Sequence, residues 1–339
     1  MSISSLLRRL VPLAVIVGGG AAIARRIASR REPIAAVAAD LRHPILYANF
    51  KVTHKNLGLL RRVPPPPEPA VAGVDISDRT ETAATGADVS MRIFEPHGRP
   101  RPSGALFWIH GGGMVMGRPE QDDHLLSTIA TDLGILVVAA RYQLAPEHPY
   151  PTPLDDCRHG LEWMHGAASE LGIDPNRIAV GGASAGGGLA AGLALRCRDK
   201  GGPRLAFQLL NYPMLDDRTV LRADHGDTGE FVWTPESNQF GWTCYLGGTP
   251  QHEDDRIYAA PARADDLAGL PPAWIGVGDL DLFHAEDVDY ARRLEAAGVP
   301  CELVVEPGMY HGADTIRRTA PAMMAYRQSM IDALGRAMN

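Results

Sequence analysis

Six short runs of the chain are almost wholly apolar: ALFWIH (105–110), ILVVAARY (135–142), RIAVGG (177–182), AFQLLNYP (206–213), AWIGVGD (273–279) and CELVVEP (301–307). A strand with one face in water alternates apolar and polar residues. A run without that alternation marks a strand buried on both faces, as in a parallel sheet covered by helices. Helical stretches lie between these runs, at 154–171, 189–199 and 285–297. Strand and helix alternating in this way predict an α/β fold around a mostly parallel sheet. Upstream, AGVDISD (72–78) and DVSMRIFEP (88–96) do alternate, which predicts half-exposed antiparallel strands.

Two stretches fall outside this rhythm. Residues 1–62 precede a stiff proline run, VPPPPEP (63–69), which separates an N-terminal segment from a main domain at 70–339. The segment 216–258 interrupts the sheet between two strands and carries Trp233, Trp242 and Tyr245. Ligands of open parallel sheets bind at the carboxyl ends of the strands, so this insertion is expected to lie there as a lid. Its three aromatic residues are expected first as packing for the insertion and second as walls of a binding pocket.

The first 31 residues add a separate signal. Arg8 and Arg9 precede an apolar run from Leu10 to Ala24, followed by Arg25, Arg26, Arg30 and Arg31. The run falls short of the roughly twenty residues that a spanning helix needs. A membrane-contacting helix, an uncleaved anchor and a packed helix all fit it, and a secretory signal shares its basic start. The expected location is accordingly cytoplasmic or membrane-associated, with secretion left open.

Composition removes several functions. A net charge of −7 over 339 residues gives no support for nucleic-acid binding. The four cysteines, Cys157, Cys197, Cys244 and Cys301, are widely spaced, and no H-E-x-x-H occurs among the twelve histidines. Neither a disulfide framework nor a metal site is indicated, and no cofactor is expected.

The glycine-rich stretch AVGGASAGGGLAAGLAL (179–195) carries the chemistry. Its glycines do not have the i, i+2, i+5 spacing of a dinucleotide fingerprint, and no Lys follows them as in a phosphate-binding loop. Gly182-Ala183-Ser184-Ala185-Gly186 is instead G-x-S-x-G, in which tiny neighbours permit a strand-to-helix turn that lifts a serine hydroxyl above the sheet. A serine nucleophile needs a base, a carboxylate to orient that base, and backbone donors for the oxyanion. Each has a candidate at the end of an apolar run. His110-Gly111-Gly112-Gly113 follows the first run and offers backbone N–H groups, Asp279 and Asp281 follow the fifth, and His311 follows the sixth. Position alone does not choose between the two aspartates.

With these motifs assembled, the stretch from Gly104 to Ala313 resembles the hormone-sensitive-lipase-like branch (bacterial family IV) of the α/β-hydrolase carboxylesterases. The resemblance rests on HGGG, YQLAPEHPYP (142–151), GASAGG (182–187), the DLF beginning at Asp281, and the HG at His311. It implies an α/β-hydrolase fold, Ser184 as nucleophile, His311 as base and Asp281 as its orienting acid. Gly111, Gly112 and Ala185 are implied as oxyanion donors. It further implies a helical cap assembled from the N-terminal segment and the insertion. Glu147 and Asp155 are expected to hold loops around the site. Two positions depart from the family: Ala183 stands where many relatives carry Asp or Thr, and Gln143 where many carry Arg.

The resulting expectation is a serine carboxylesterase acting on small-molecule esters with short to medium acyl chains, as a monomer or homodimer. The same machinery serves an amidase or deacetylase, and a relative that had lost catalysis would keep the fold as a ligand-binding protein.

Overall fold

The computed structural model describes residues 28–48, 51–62, 68–82, 86 and 88–338. The expectations for residues 1–27 and for most of the proline run lie outside these residues. Among the described residues, the short helices α1 (Arg31–Ala36) and α2 (His54–Arg62) precede the sheet. The alternating stretches form an antiparallel pair, β1 (Val74–Thr82) and β2 (Asp88–Pro96). All six apolar runs then form strands: β3 (Ser103–Ile109), β4 (Leu136–Arg141), β5 (Ile173–Ala183), β6 (Phe207–Asn211), β7 (Ala273–Gly278) and β8 (Cys301–Glu306). They join one eight-stranded sheet in the order β1-β2-β4-β3-β5-β6-β7-β8, parallel from β4 to β8. This is the α/β-hydrolase arrangement.

Two cores explain the unbroken apolar runs. In β3, Ala105, Phe107 and Ile109 pack into one core and Leu106 and Trp108 into the other. Leu136 and Val138 of β4 face the first core, and Val137 and Ala139 the second. The period of two is intact; both faces are apolar because helices cover both. α3 (Asp123–Leu133) lies on the second face. The first face is covered by α4 (Thr152–Gly166), which continues into the single turn α5 (Ala168–Leu171), and by α6 (Ala185–Lys200). The insertion contributes α7 (Pro235–Leu246); beyond β7 come α8 (His284–Ala296), the single turn α9 (Ala313–Ile316) and α10 (Pro321–Met338). α8 lies on the first face against β7 and β8, and α10 lies on the second face, where it meets α3.

Two elements differ from expectation. β8 is not buried on both faces: Glu302 and Leu303 are exposed, because β8 closes the sheet and, among the described residues, pairs with β7 alone. α6 starts at Ala185, four residues before the expected helix, and takes in Gly186, Gly187 and Gly188. These glycines bring the helix axis close to its neighbours. A Cβ on Gly188 would lie 2.1 Å from the Met214 carbonyl oxygen.

The insertion and the N-terminal segment meet. The Val52 N–H donates to Ser237 Oγ at 2.9 Å, and Arg30 donates to both the carbonyl and the carboxylate of Glu230. Arg61 of α2 donates to the carbonyls of Val115 and Ala145, each at 2.7 Å, and binds the Glu147 carboxylate.

Candidate active site

Ser184 occupies the turn between β5 and α6 with φ 56° and ψ −122°, a strained region for any residue with a Cβ. Its neighbours show why they are small. A Cβ on Gly182 would lie 2.4 Å from the backbone of Gly186, and one on Gly186 would lie 2.0 Å from the Ile109 carbonyl oxygen. The turn is held by backbone: Ser184 N–H donates to Asn211 O at 2.8 Å, and Ser184 O accepts from Gly188 and Met214 N–H, each at 3.0 Å.

The loop after β8 brings His311 to this turn. Its Nε2 lies 3.0 Å from Ser184 Oγ, and its Nδ1 lies 2.8 Å from Asp281 Oδ2. Asp281 Oδ1 accepts from the Phe283 N–H at 3.0 Å, and the Phe283 ring stands edge-on to the imidazole at 5.2 Å. All three side chains are buried, with Asp281 at 0% exposure. A carboxylate on Nδ1 keeps the proton there and leaves the Nε2 lone pair toward the hydroxyl. Asp279 points elsewhere: its Oδ1 accepts from the Gly308 N–H at 2.7 Å and braces the start of the loop that carries His311.

The glycine loop lies alongside. A Cβ on Gly111 would approach Ser184 Cβ to 3.3 Å. Ala185 opens α6, so its N–H is among those without an intrahelical acceptor, at the positive end of the helix dipole. Gly113 has φ +63°, and a Cβ there would lie 2.0 Å from the six-membered ring of Trp233. His110 supports the loop from behind. Its Nδ1–H donates to Gly111 O at 2.8 Å, and its ring stacks on Tyr142 at 4.3 Å. Burial lowers its pKa to about 4, so it stands neutral as a structural member.

The remaining expectations fall out unevenly. Trp242 and Tyr245 are fully buried in the first core, whereas Trp233 faces the glycine loop and lies 6.4 Å from the His311 ring. Glu147 does hold a loop, through Arg61. Asp155 does not: it pairs with Arg158 of its own helix and with Arg196 of α6. Its neighbour Asp156 takes that part, accepting from the Gln143 N–H at 2.8 Å. Helical spacing contained the signal, since Asp156 lies on the stripe of Pro153, Cys157, Gly160 and Met164 that faces inward. Among the described residues, no group of three or more His, Cys, Asp or Glu is placed to hold a metal ion.

This geometry has relatives. Residues 106–315 match a family described by its alpha/beta hydrolase fold. The chain is similar to the carboxylesterase NlhH of Mycobacterium tuberculosis, with 36% identity over 83% of this chain and 88% of the relative. It is 33% identical to an ethyl acetate hydrolase of Pseudomonas putida, over 70% of this chain and 74% of that protein. A solved bacterial heroin esterase superposes with a TM-score of 0.83 at 36% identity, covering 90% of this chain and 99% of its own. The chain belongs to the α/β-hydrolase family, in its hormone-sensitive-lipase-like branch of carboxylic ester hydrolases.

Proposed function

We propose that this protein hydrolyses short- to medium-chain carboxylic esters through a covalent acyl-enzyme on Ser184. The observation that carries the reading is the hydrogen-bonded line from Ser184 Oγ through His311 to buried Asp281. Oγ attacks the ester carbonyl carbon while its proton passes to His311 Nε2, and Asp281 stabilises the imidazolium that forms. The carbonyl oxygen becomes an oxyanion facing the N–H groups of Gly111, Gly112 and Ala185. As the C–O bond breaks, the leaving alcohol takes the proton from Nε2. Water then attacks the acyl carbon, giving a proton to Nε2, and the carboxylic acid leaves as Ser184 regains its hydrogen. One ester and one water become one acid and one alcohol.

The N-terminal segment and the insertion act as a cap in this reading, and Trp233 stands at the inner wall against the glycine loop. The test is hydrolysis of p-nitrophenyl acetate, butyrate, octanoate and palmitate by the wild type and by Ser184→Ala. Turnover should be highest on the shorter esters and fall at least about 10⁴-fold in the variant. A Ser184→Ala protein that keeps its turnover would remove the acyl-enzyme from the mechanism.

A further inference from the structure

Asp281 fixes the imidazole from one side, but it belongs to the loop after β7, whereas the serine turn is held by β6. Something must set the distance between the loop carrying His311 and β6. The structure assigns that part to Asp314, three residues beyond His311, as a positioning residue. The inference rests on the reading of Ser184 and His311 given above.

Asp314 is 4% exposed, and both of its carboxylate oxygens are used by the last residue of β6 and the one that follows it. Tyr212 OH donates to Oδ1 at 2.8 Å, and Asn211 Nδ2 donates to Oδ2 at 3.1 Å. These two residues touch the site themselves. The Asn211 carbonyl oxygen accepts the Ser184 N–H at 2.8 Å. The Tyr212 ring stands edge-on to the imidazole of His311, with centroids 4.7 Å apart. Asp314 therefore clamps the base-bearing loop to the strand end that carries the nucleophile's backbone.

The clamp is built rather than incidental. The Asn211 amide is used at both ends, since its Oδ1 accepts from Tyr326 OH at 2.7 Å. Tyr212 holds φ +35°, which a bulky residue keeps only where its surroundings enforce it. Its own N–H is bonded to Gly276 O at 2.7 Å, and its hydroxyl to Asp314. The backbone of the loop is gripped as well, because Arg327 donates to the Asp314 carbonyl oxygen at 2.7 Å. A buried polar network satisfied at each member fixes one geometry.

The experiment compares the wild type with Asp314→Asn, Asp314→Leu and Tyr212→Phe, with Ser184→Ala alongside. Active sites are counted by the burst of p-nitrophenol released when a p-nitrophenyl dialkyl phosphate phosphorylates the serine. Turnover is then expressed per counted site, so a lost folded fraction drops out. A displacement of about 1 Å at reacting groups costs on the order of 10²-fold in rate. Per-site kcat on p-nitrophenyl butyrate should fall about 10- to 100-fold in Asp314→Leu, with KM within about threefold and phosphorylation slowed in parallel. Asp314→Asn, which keeps an acceptor for Tyr212, should lose less. Tyr212→Phe keeps the ring and loses only the tie, so it covers the case in which Asp314→Leu does not fold. Its per-site kcat should also fall, and its loss should not add to that of Asp314→Asn. Unchanged per-site turnover in Tyr212→Phe and Asp314→Asn, with only a lowered melting temperature, would reduce the cluster to packing and overturn the inference. Full turnover in Ser184→Ala would instead sink the reading on which it rests.

Discussion

At the residue scale, two carboxylates two residues apart do different work because their side chains meet different neighbours. Asp281 turns inward to His311 Nδ1, while Asp279 reaches the Gly308 N–H at the start of the loop. The sequence placed both at a strand end with equal claim, and only the family resemblance separated them. A carboxylate that orients a catalytic histidine is worth about 10⁴ in turnover when replaced by its amide, since the amide favours the wrong tautomer. Asp281→Asn should therefore lower kcat by about that factor. In Asp279→Asn the side-chain carbonyl still accepts from Gly308, so kcat should stay within about threefold. Steady-state kinetics on p-nitrophenyl butyrate reads both, and equal losses would mean that the two carboxylates share the task.

Elements were legible in the sequence wherever one physical rule governed them. The apolar runs became strands because burial on both faces leaves no polar position. The turn at Ser184 could be read because steric exclusion at Gly182 and Gly186 leaves few residues to choose from. Legibility failed where neighbours distant in the chain decide. α6 begins in glycines that read as loop, since nothing local says that Met214 and Ile109 press against them. Asp314 and Tyr212 carry no motif, and their pairing spans 102 residues. Trp233 was legible as an aromatic residue of the insertion, for packing first and a pocket wall second; its place against Gly113 comes from the packing of α7, where a Cβ on Gly241 would lie 2.8 Å from Gly113 O. That placement has a consequence for the insertion. Removing the indole opens apolar space beside the glycine loop, and each methylene buried there is worth about 0.8 kcal/mol. Trp233→Ala should raise the ratio of kcat/KM for octanoate over butyrate at least about tenfold, a part of what four methylenes allow. An unchanged ratio would place the acyl chain on another wall.

At the scale of the molecule, buried ionisable groups give stability a pH dependence whose sign can be worked out. Glu286 of α8 is 3% exposed and accepts from the N–H groups of Leu215 and Asp216 at 2.8 and 3.1 Å, with the Thr219 hydroxyl on its other oxygen. Burial, with Asp216 nearby, pushes its pKa from 4.5 up to about 8. Next to it Asp287 is fully buried with neither oxygen hydrogen-bonded, and burial raises it far above the usual carboxylate range. Both groups hold protons in the folded state that the unfolded chain has released. The contribution of Glu286 is present in full below about pH 4.5 and is lost as pH rises toward 8, and that of Asp287 is likewise lost as pH rises. His110 runs the other way: its folded pKa of about 4 lies below the unfolded 6.5, so stability is lost as pH falls through that window. Between pH 4.5 and 6.5 the histidine opposes Glu286, and above 6.5 it no longer does. Glu286→Gln isolates one proton of this balance, because glutamine accepts from the same two N–H groups, reaches Thr219, and does not titrate. Relative to the wild type, its stability in urea should rise by about 1.4 kcal/mol per pH unit between pH 5 and about 8. A variant destabilised by the same amount at every pH would show that Glu286 is ionised throughout and that its two backbone donors outweigh its burial.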